Sequence, residues 1–170
     1  FLSAIAPSFA APALTCASCH QAQAASQPHT GMGQALQPAA SSPILQSHNK
    51  LTFKQDPYAY TIERDGATSW YSVSDGKTDF RVPIAWSFGL GAAGQTYLVQ
   101  RNGVWYESRV SYYRDTNALD LTTGARKDVP RSLDDAIGRE LSTKGAEECF
   151  NCHSTGALLG GKLDTQSLTA

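Results

Sequence analysis

Tyr58-Ala59-Tyr60-Thr61-Ile62-Glu63-Arg64-Asp65-Gly66-Ala67-Thr68-Ser69-Trp70-Tyr71-Ser72-Val73-Ser74-Asp75-Gly76 holds the same device twice: a run of aromatic and β-branched residues, then an Asp-Gly pair. Such side chains fit the half-buried, pleated surface of a strand, and Asp-Gly adopts the positive φ angles of a tight hairpin turn. Asn102-Gly103 repeats the turn signal. Twelve of the sixteen aromatic residues fall between Tyr58 and Tyr113, interleaved with Thr, Val and Ile. The sequence predicts antiparallel strands over Tyr58–Arg64, Ser69–Ser74, Thr78–Trp86, Thr96–Arg101 and Val104–Tyr113, a meander of about five within a β region spanning about 51–113. Between them, Phe88-Gly89-Leu90-Gly91-Ala92-Ala93-Gly94 lacks the Lys-Ser/Thr and helix-opening context of a phosphate loop. It reads as a turn, or as backbone packed against a prosthetic group.

One pattern stands on either side of this region: Cys16-Ala17-Ser18-Cys19-His20 and Cys149-Phe150-Asn151-Cys152-His153, which hold all four cysteines. Two cysteines with two residues between them can meet the two vinyl groups of one porphyrin as thioethers, and the histidine that follows can bind the iron. The expected cofactors are two haem c. Cys16, Cys19, Cys149 and Cys152 are the expected attachment points, and His20 and His153 the proximal iron ligands. Two other readings of paired cysteines stand beside this one, a four-cysteine zinc site and a thioredoxin-like redox pair. Zinc ribbons bring their halves close in sequence, whereas residues 20–148 separate these two, and zinc gives no reason for a histidine after both pairs. A thioredoxin-like pair needs a strand-to-helix turn in a βαβ unit, which surrounds neither motif. The expected fold class is α+β, the β meander being inserted between two short helical haem-binding segments.

The first 49 residues contain no Asp, Glu, Lys or Arg. They read either as a biased, partly flexible arm or as a segment draped over haem, where buried charge would be costly. Ala17–Ser26 suits a short helix, with Pro28 just beyond. Near the other end Ser132 can cap a helix, with Leu133, Ile137 and Leu141 at four-residue spacing and Gly145 as a stop. That helix would deliver the second motif, with Ala136 and Ile137 placed to pack against the porphyrin.

A chain of 170 residues fits one domain. We expect residues 1–15 to be the remnant of an export signal, an anchor flank or an arm, residues 16–153 a single dihaem domain, and residues 154–170 a C-terminal surface tail. Fourteen basic and fifteen acidic residues give a formal charge of −1, which offers no electrostatic case for nucleic acid. No run of 18 apolar residues is present, so no transmembrane segment is expected in the chain. Thioether attachment occurs outside the cytoplasm, so the expected location is periplasmic or extracytoplasmic, with any membrane association through a partner or an upstream anchor.

The sixth iron position decides potential and function, and few side chains can fill it. His29, His48 and Met32 are the candidates. A second histidine gives a comparatively low potential and methionine a higher one, while an open position permits peroxide chemistry. On one continuous helix His20 and His29 would lie about 14 Å apart on the same side of the haem. Pro28 argues against that continuity, and an extended path of about 30 Å could wrap the porphyrin edge. His48 also reads as a solvated loop residue beside Ser47, Asn49 and Lys50, and Met32 as packing beside a haem face.

The sequence resembles a group of bacterial multihaem c-type cytochromes. The likeness rests on the two haem motifs and on Pro28-His29-Thr30-Gly31-Met32-Gly33 after the first. Trp86-Ser87-Phe88-Gly89-Leu90-Gly91, Ser111-Tyr112-Tyr113 and Leu119-Asp120-Leu121-Thr122-Thr123-Gly124 complete it, so that it covers most of residues 16–153. The resemblance implies electron transfer outside the cytoplasm, in some cases within a larger redox assembly. The expected function is thus an electron carrier or relay subunit. Its expected partners are redox proteins, including subunits of a membrane electron-transfer complex such as a respiratory complex or a photosynthetic reaction centre. The alternative is a dihaem peroxidase-like enzyme with one open haem site, for which no motif supplies the distal base.

Overall fold

The computed structural model describes residues 16–154, 158–159, 162–163 and 165. The expected export-signal remnant lies outside them. The chain begins with two short helices, α1 (Cys16–Cys19) and α2 (Gln21–Ser26), and a 3-10 turn over Gln27–His29. Strand β1 (Leu36–Pro38), a second 3-10 turn and helix α3 (Pro43–Ser47) follow. Five antiparallel hairpin connections then join β2 (Lys50–Gln55), β3 (Tyr58–Asp65), β4 (Thr68–Ser74), β5 (Asp79–Phe88), β6 (Thr96–Arg101) and β7 (Val104–Ser108). Asn102 and Gly103, at φ 50° and 80°, make the β6–β7 turn in the left-handed pair of conformations that their residue types favour.

The sheet is larger than the five strands expected. Its order is β10 (Gly138–Glu140), then β7-β6-β5-β4-β3-β2, with β1 paired to the last residues of β5, eight strands in all. The predicted strand Val104–Tyr113 is two strands. The break falls at Arg109, after which β8 (Val110–Tyr113) pairs with β9 (Ala118–Leu121) and bridges Gln95 through Tyr112. That hairpin lies against β6 and β2 and curls the sheet around the main core. Tyr60, Tyr71, Val73, Tyr97, Val99, Val110 and Ile137 are fully buried there. Each large apolar side chain so buried contributes roughly 1.5–3 kcal/mol.

The helix expected from Ser132 is also corrected. Ser132 does cap α4 (Leu133–Ile137), accepting from Asp135 N, but the helix stops at Gly138. Gly138 has φ 142°, and a Cβ there would stand 2.0 Å from the Glu107 carbonyl. Only glycine lets the backbone approach β7 that closely, and residues Gly138–Glu140 become β10, paired to β7. A new helix, α5 (Thr143–His153), starts after Ser142, which accepts from Gly145 N, so Gly145 opens a helix instead of ending one. Ala136 and Ile137 belong to the main core and not to the surroundings of the second motif.

Register in β5 positions the second core. Phe80, Val82 and Ile84 face the main core, and simple alternation would send Trp86 and Phe88 the same way. The pairing shifts between Ile84, opposite Val99, and Trp86, opposite Leu98. This extra residue turns Trp86 and Phe88 to the other face, where they join Leu36, Leu98, Leu141, Ala146 and Phe150.

The chargeless arm has two halves. No side chain from Ala17 to Gln34 is buried, whereas Leu36, Ala39, Ser42 and Leu45 are. Ser42 caps α3 and donates to Gln95 Oε1 at 2.9 Å, and Gln95 Nε2 donates to the Gly89 carbonyl. The glycine-rich stretch is a closed turn: Gly89, at φ 93°, lies so near Gly94 that a Cβ would meet its carbonyl at 2.4 Å. In the segment expected as a tail, Leu158–Leu159 pair with Lys162–Leu163. Among the described residues no helix is long and apolar enough to cross a membrane.

Candidate functional site

The second motif occupies the last turn and a half of α5. Helical spacing puts Cys149, Cys152 and His153 at i, i+3 and i+4, on neighbouring parts of one surface. Ala146 and Phe150, also four apart, are the buried residues of the same helix. Phe150 meets Trp86 and Phe88 edge-on, with ring centroids 5.5 and 5.7 Å apart, and Trp105 at a tilt at 5.7 Å. Such aromatic pairs add about 0.5–1.5 kcal/mol each beyond their burial. Phe150, the first of the two residues between the cysteines, is therefore the bolt that fixes the helix to the sheet.

His153 stands against the same wall, its ring edge-on to Phe88 at 5.4 Å. Its Nδ1 is buried and makes no hydrogen bond. A buried polar atom without a partner is costly and rare, which marks this imidazole as short of a partner. Cys149 is half-buried and Cys152 exposed. Burial pushes the Cys149 thiol up, and nearby Glu107 adds to the shift while Arg139 opposes it. An activated redox cysteine has the opposite bias, toward thiolate, so this environment does not suit a thioredoxin-like pair.

The first motif is built differently. Cys19 and His20 are exposed, and His20, at φ −119° and ψ 54°, separates α1 from α2 while its carbonyl accepts from Ala24 N. His29 and Met32 follow on the same exposed segment, Met32 being 56% exposed. His48 belongs to another region. Its Nδ1 lies 2.8 Å from the Ile44 carbonyl and its Nε2 3.0 Å from Asn117 Oδ1, and its ring rests on Tyr112 at 5.0 Å. Both nitrogens are engaged, so binding iron would require one of these contacts to break.

The donor set fits haem c best at α5: two thiols one turn apart, an adjacent imidazole with an unmet buried nitrogen, and an apolar wall behind it. At the first motif the residue types fit, and among the described residues no buried aromatic wall stands behind them. Among the described residues no three His, Cys, Asp or Glu side chains come together in a metal-binding group. A structural zinc site draws four such ligands to one point, whereas a haem iron takes one or two. In sequence, Trp86 and Phe88 stand out only within the stretch that carries the family likeness, and Trp105 and Phe150 have no assigned role at the site. A large aromatic between the cysteines, with Ala146 one turn earlier, was the available signal. In comparisons with known proteins, no family model, no curated protein and no solved structure matches the chain.

Proposed function

We propose that this chain is an electron-transfer protein with one covalent haem c on each Cys-x-x-Cys-His motif, acting as a carrier or relay subunit of an extracytoplasmic redox chain. The observation that carries the proposal is the single helical turn presenting Cys149, Cys152 and His153, held in place by Phe150. Haem bound there would supply reversible one-electron exchange at iron. The chain's own part is to hold the imidazole against Phe88, keep water from one side of it with Trp86, Trp105 and Phe150, and so set the polarity around the group. At the first motif, His29 and Met32 are the nearest candidates in sequence for a sixth ligand, while His48 serves as a clip between α3 and the β8–β9 turn. The partners that suit this role are redox proteins, including subunits of a membrane complex.

The test is maturation of the chain in a periplasm equipped for haem c attachment, followed by intact mass and an alkaline pyridine spectrum. Two attached haems are expected, with Cys19→Ala and Cys152→Ala each removing one. Protein recovered folded but without covalent haem would refute the proposal. Peroxide turnover by the dihaem protein would move the reading to a peroxidase-like enzyme.

A further inference from the structure

Arg109 sits at the break between β7 and β8 and is only 7% exposed. Its Nε and Nη2 donate to Gln55 Oε1 at 3.4 and 3.2 Å, and Nη2 donates to the carbonyls of Arg126 and Asp128 at 2.7 Å each. All three acceptors are neutral. Among the described residues Arg109 forms no ion pair within 4 Å, and the groups that feel its charge include the Tyr60 hydroxyl and the exposed Asp128 carboxylate. A buried guanidinium is normally matched by a carboxylate or phosphate, because an uncompensated buried charge is strongly unfavourable. Here the carbonyls tie down the loop over 123–131, and no carboxylate touches the guanidinium directly.

Arg109 lines a cleft of about 370 Å³, within the size range of small-molecule sites. Four arginines border it, Arg109, Arg126, Arg131 and Arg139, against three carboxylates, Glu107, Asp128 and Asp135. Arg139 is paired with Glu107 at 2.9 Å, and Arg126 holds Asp128 with two bonds at 3.0 and 2.8 Å. Asp135 accepts from the Arg131 backbone N. Among the described residues the guanidinium groups of Arg109 and Arg131 are the ones in this cleft without a carboxylate in direct contact, Asp128 being held by Arg126. Val129 and Pro130 give the cleft an apolar side, and Val129 is 49% exposed, unusual for a large apolar side chain in this molecule.

We propose that this cleft binds a small organic carboxylate, its oxygens on Arg109 and Arg131 and its carbon body against Val129 and Pro130. Guanidinium matches a carboxylate with paired charge-assisted bonds, and the apolar side favours a ligand with a hydrocarbon part over a bare oxyanion. The proposal is independent of haem.

An NMR titration of the full chain with butyrate, and separately with inorganic phosphate at matched ionic strength, tests it. Saturable shifts of the Arg126–Arg131 amides are expected with butyrate, and weaker binding of phosphate. Arg131→Gln and Arg109→Lys should each weaken butyrate binding roughly tenfold or more, the worth of a lost charged hydrogen bond. Arg109→Lys is scored only if its near-ultraviolet circular dichroism is native. Arg131→Gln, at an exposed position, decides the matter otherwise. Absence of saturable butyrate shifts, phosphate binding as tightly as butyrate, or affinity unchanged in Arg131→Gln would each overturn the proposal.

Discussion

Ala17 and Phe150 hold the same place in the two motifs, directly after the first cysteine, and the fold uses them in opposite ways. Phe150 is fully buried among Trp86, Phe88 and Trp105, while Ala17 is exposed on a segment whose residues to Gln34 bury no side chain. One five-residue pattern thus stands on two kinds of support: a helix bolted to a sheet, and a short helical run held by local backbone bonds. Motif chemistry is written in the cysteines and histidine. Its mechanical setting is written in a spacer residue and in what lies behind it.

The contrast is most open to attack at Phe150. Phe150→Ala should cost about 3–5 kcal/mol in urea unfolding, through lost burial and the cavity left among three aromatic rings. Ala17→Gly should cost less than about 1 kcal/mol. Equal costs would erase the difference between the two supports.

The main core makes the next largest prediction. Burial pushes the Tyr60 hydroxyl up to about 12 and also raises Tyr71 and Tyr97 well above the ordinary value. A folded value above the unfolded one, near 10, means the phenols must stay neutral in the native state. Their contribution is complete below about pH 10 and is lost as pH rises through the folded values. Tyr60 alone should remove on the order of 2–3 kcal/mol by pH 12. Chemical denaturation at pH 8, 10.5 and 11.5 checks this, and an unfolding midpoint that does not move would contradict it.

Ser42→Ala should cost about 1–2 kcal/mol, because it removes the α3 cap and leaves Gln95 Oε1 without its donor. That would show the later half of the chargeless arm to be structural, unlike the half that carries the first motif. The smallest effect on stability belongs to His29→Ala, within about 0.5 kcal/mol at an exposed site. In the haem-loaded protein it should nevertheless alter the spectrum of one haem. His48→Ala should do the reverse, costing about 1 kcal/mol and leaving both spectra unchanged. An altered spectrum in His48→Ala would make His48 a ligand after all.

Much of the sheet was legible because its turns are local. Asn102-Gly103 and Asp65-Gly66 announce hairpins whose strands start within a residue or so of where they were expected. The features that set the second motif were not local. Phe80, Val82, Ile84, Trp86 and Phe88 alternate without interruption in sequence, and only the register against β6 reveals the shift that separates the two cores. Leu133, Ile137 and Leu141 keep helical spacing, yet they span a helix end, a short strand and a loop. The close approach of Gly138 to β7 outweighs the periodicity. Arg109 gave no signal at all, since a buried arginine looks like any other until its partners are known. For the site, the residue pattern carried the chemistry, while Phe150 falls at a position that the motif leaves free.

The two proposed haem positions differ in their support, and a redox titration of the loaded protein, repeated on Phe150→Leu, tests that directly. Two separable one-electron steps are predicted, with Phe150→Leu shifting one of them and leaving the other in place. A single unresolved transition, or an equal shift of both steps, would contradict it.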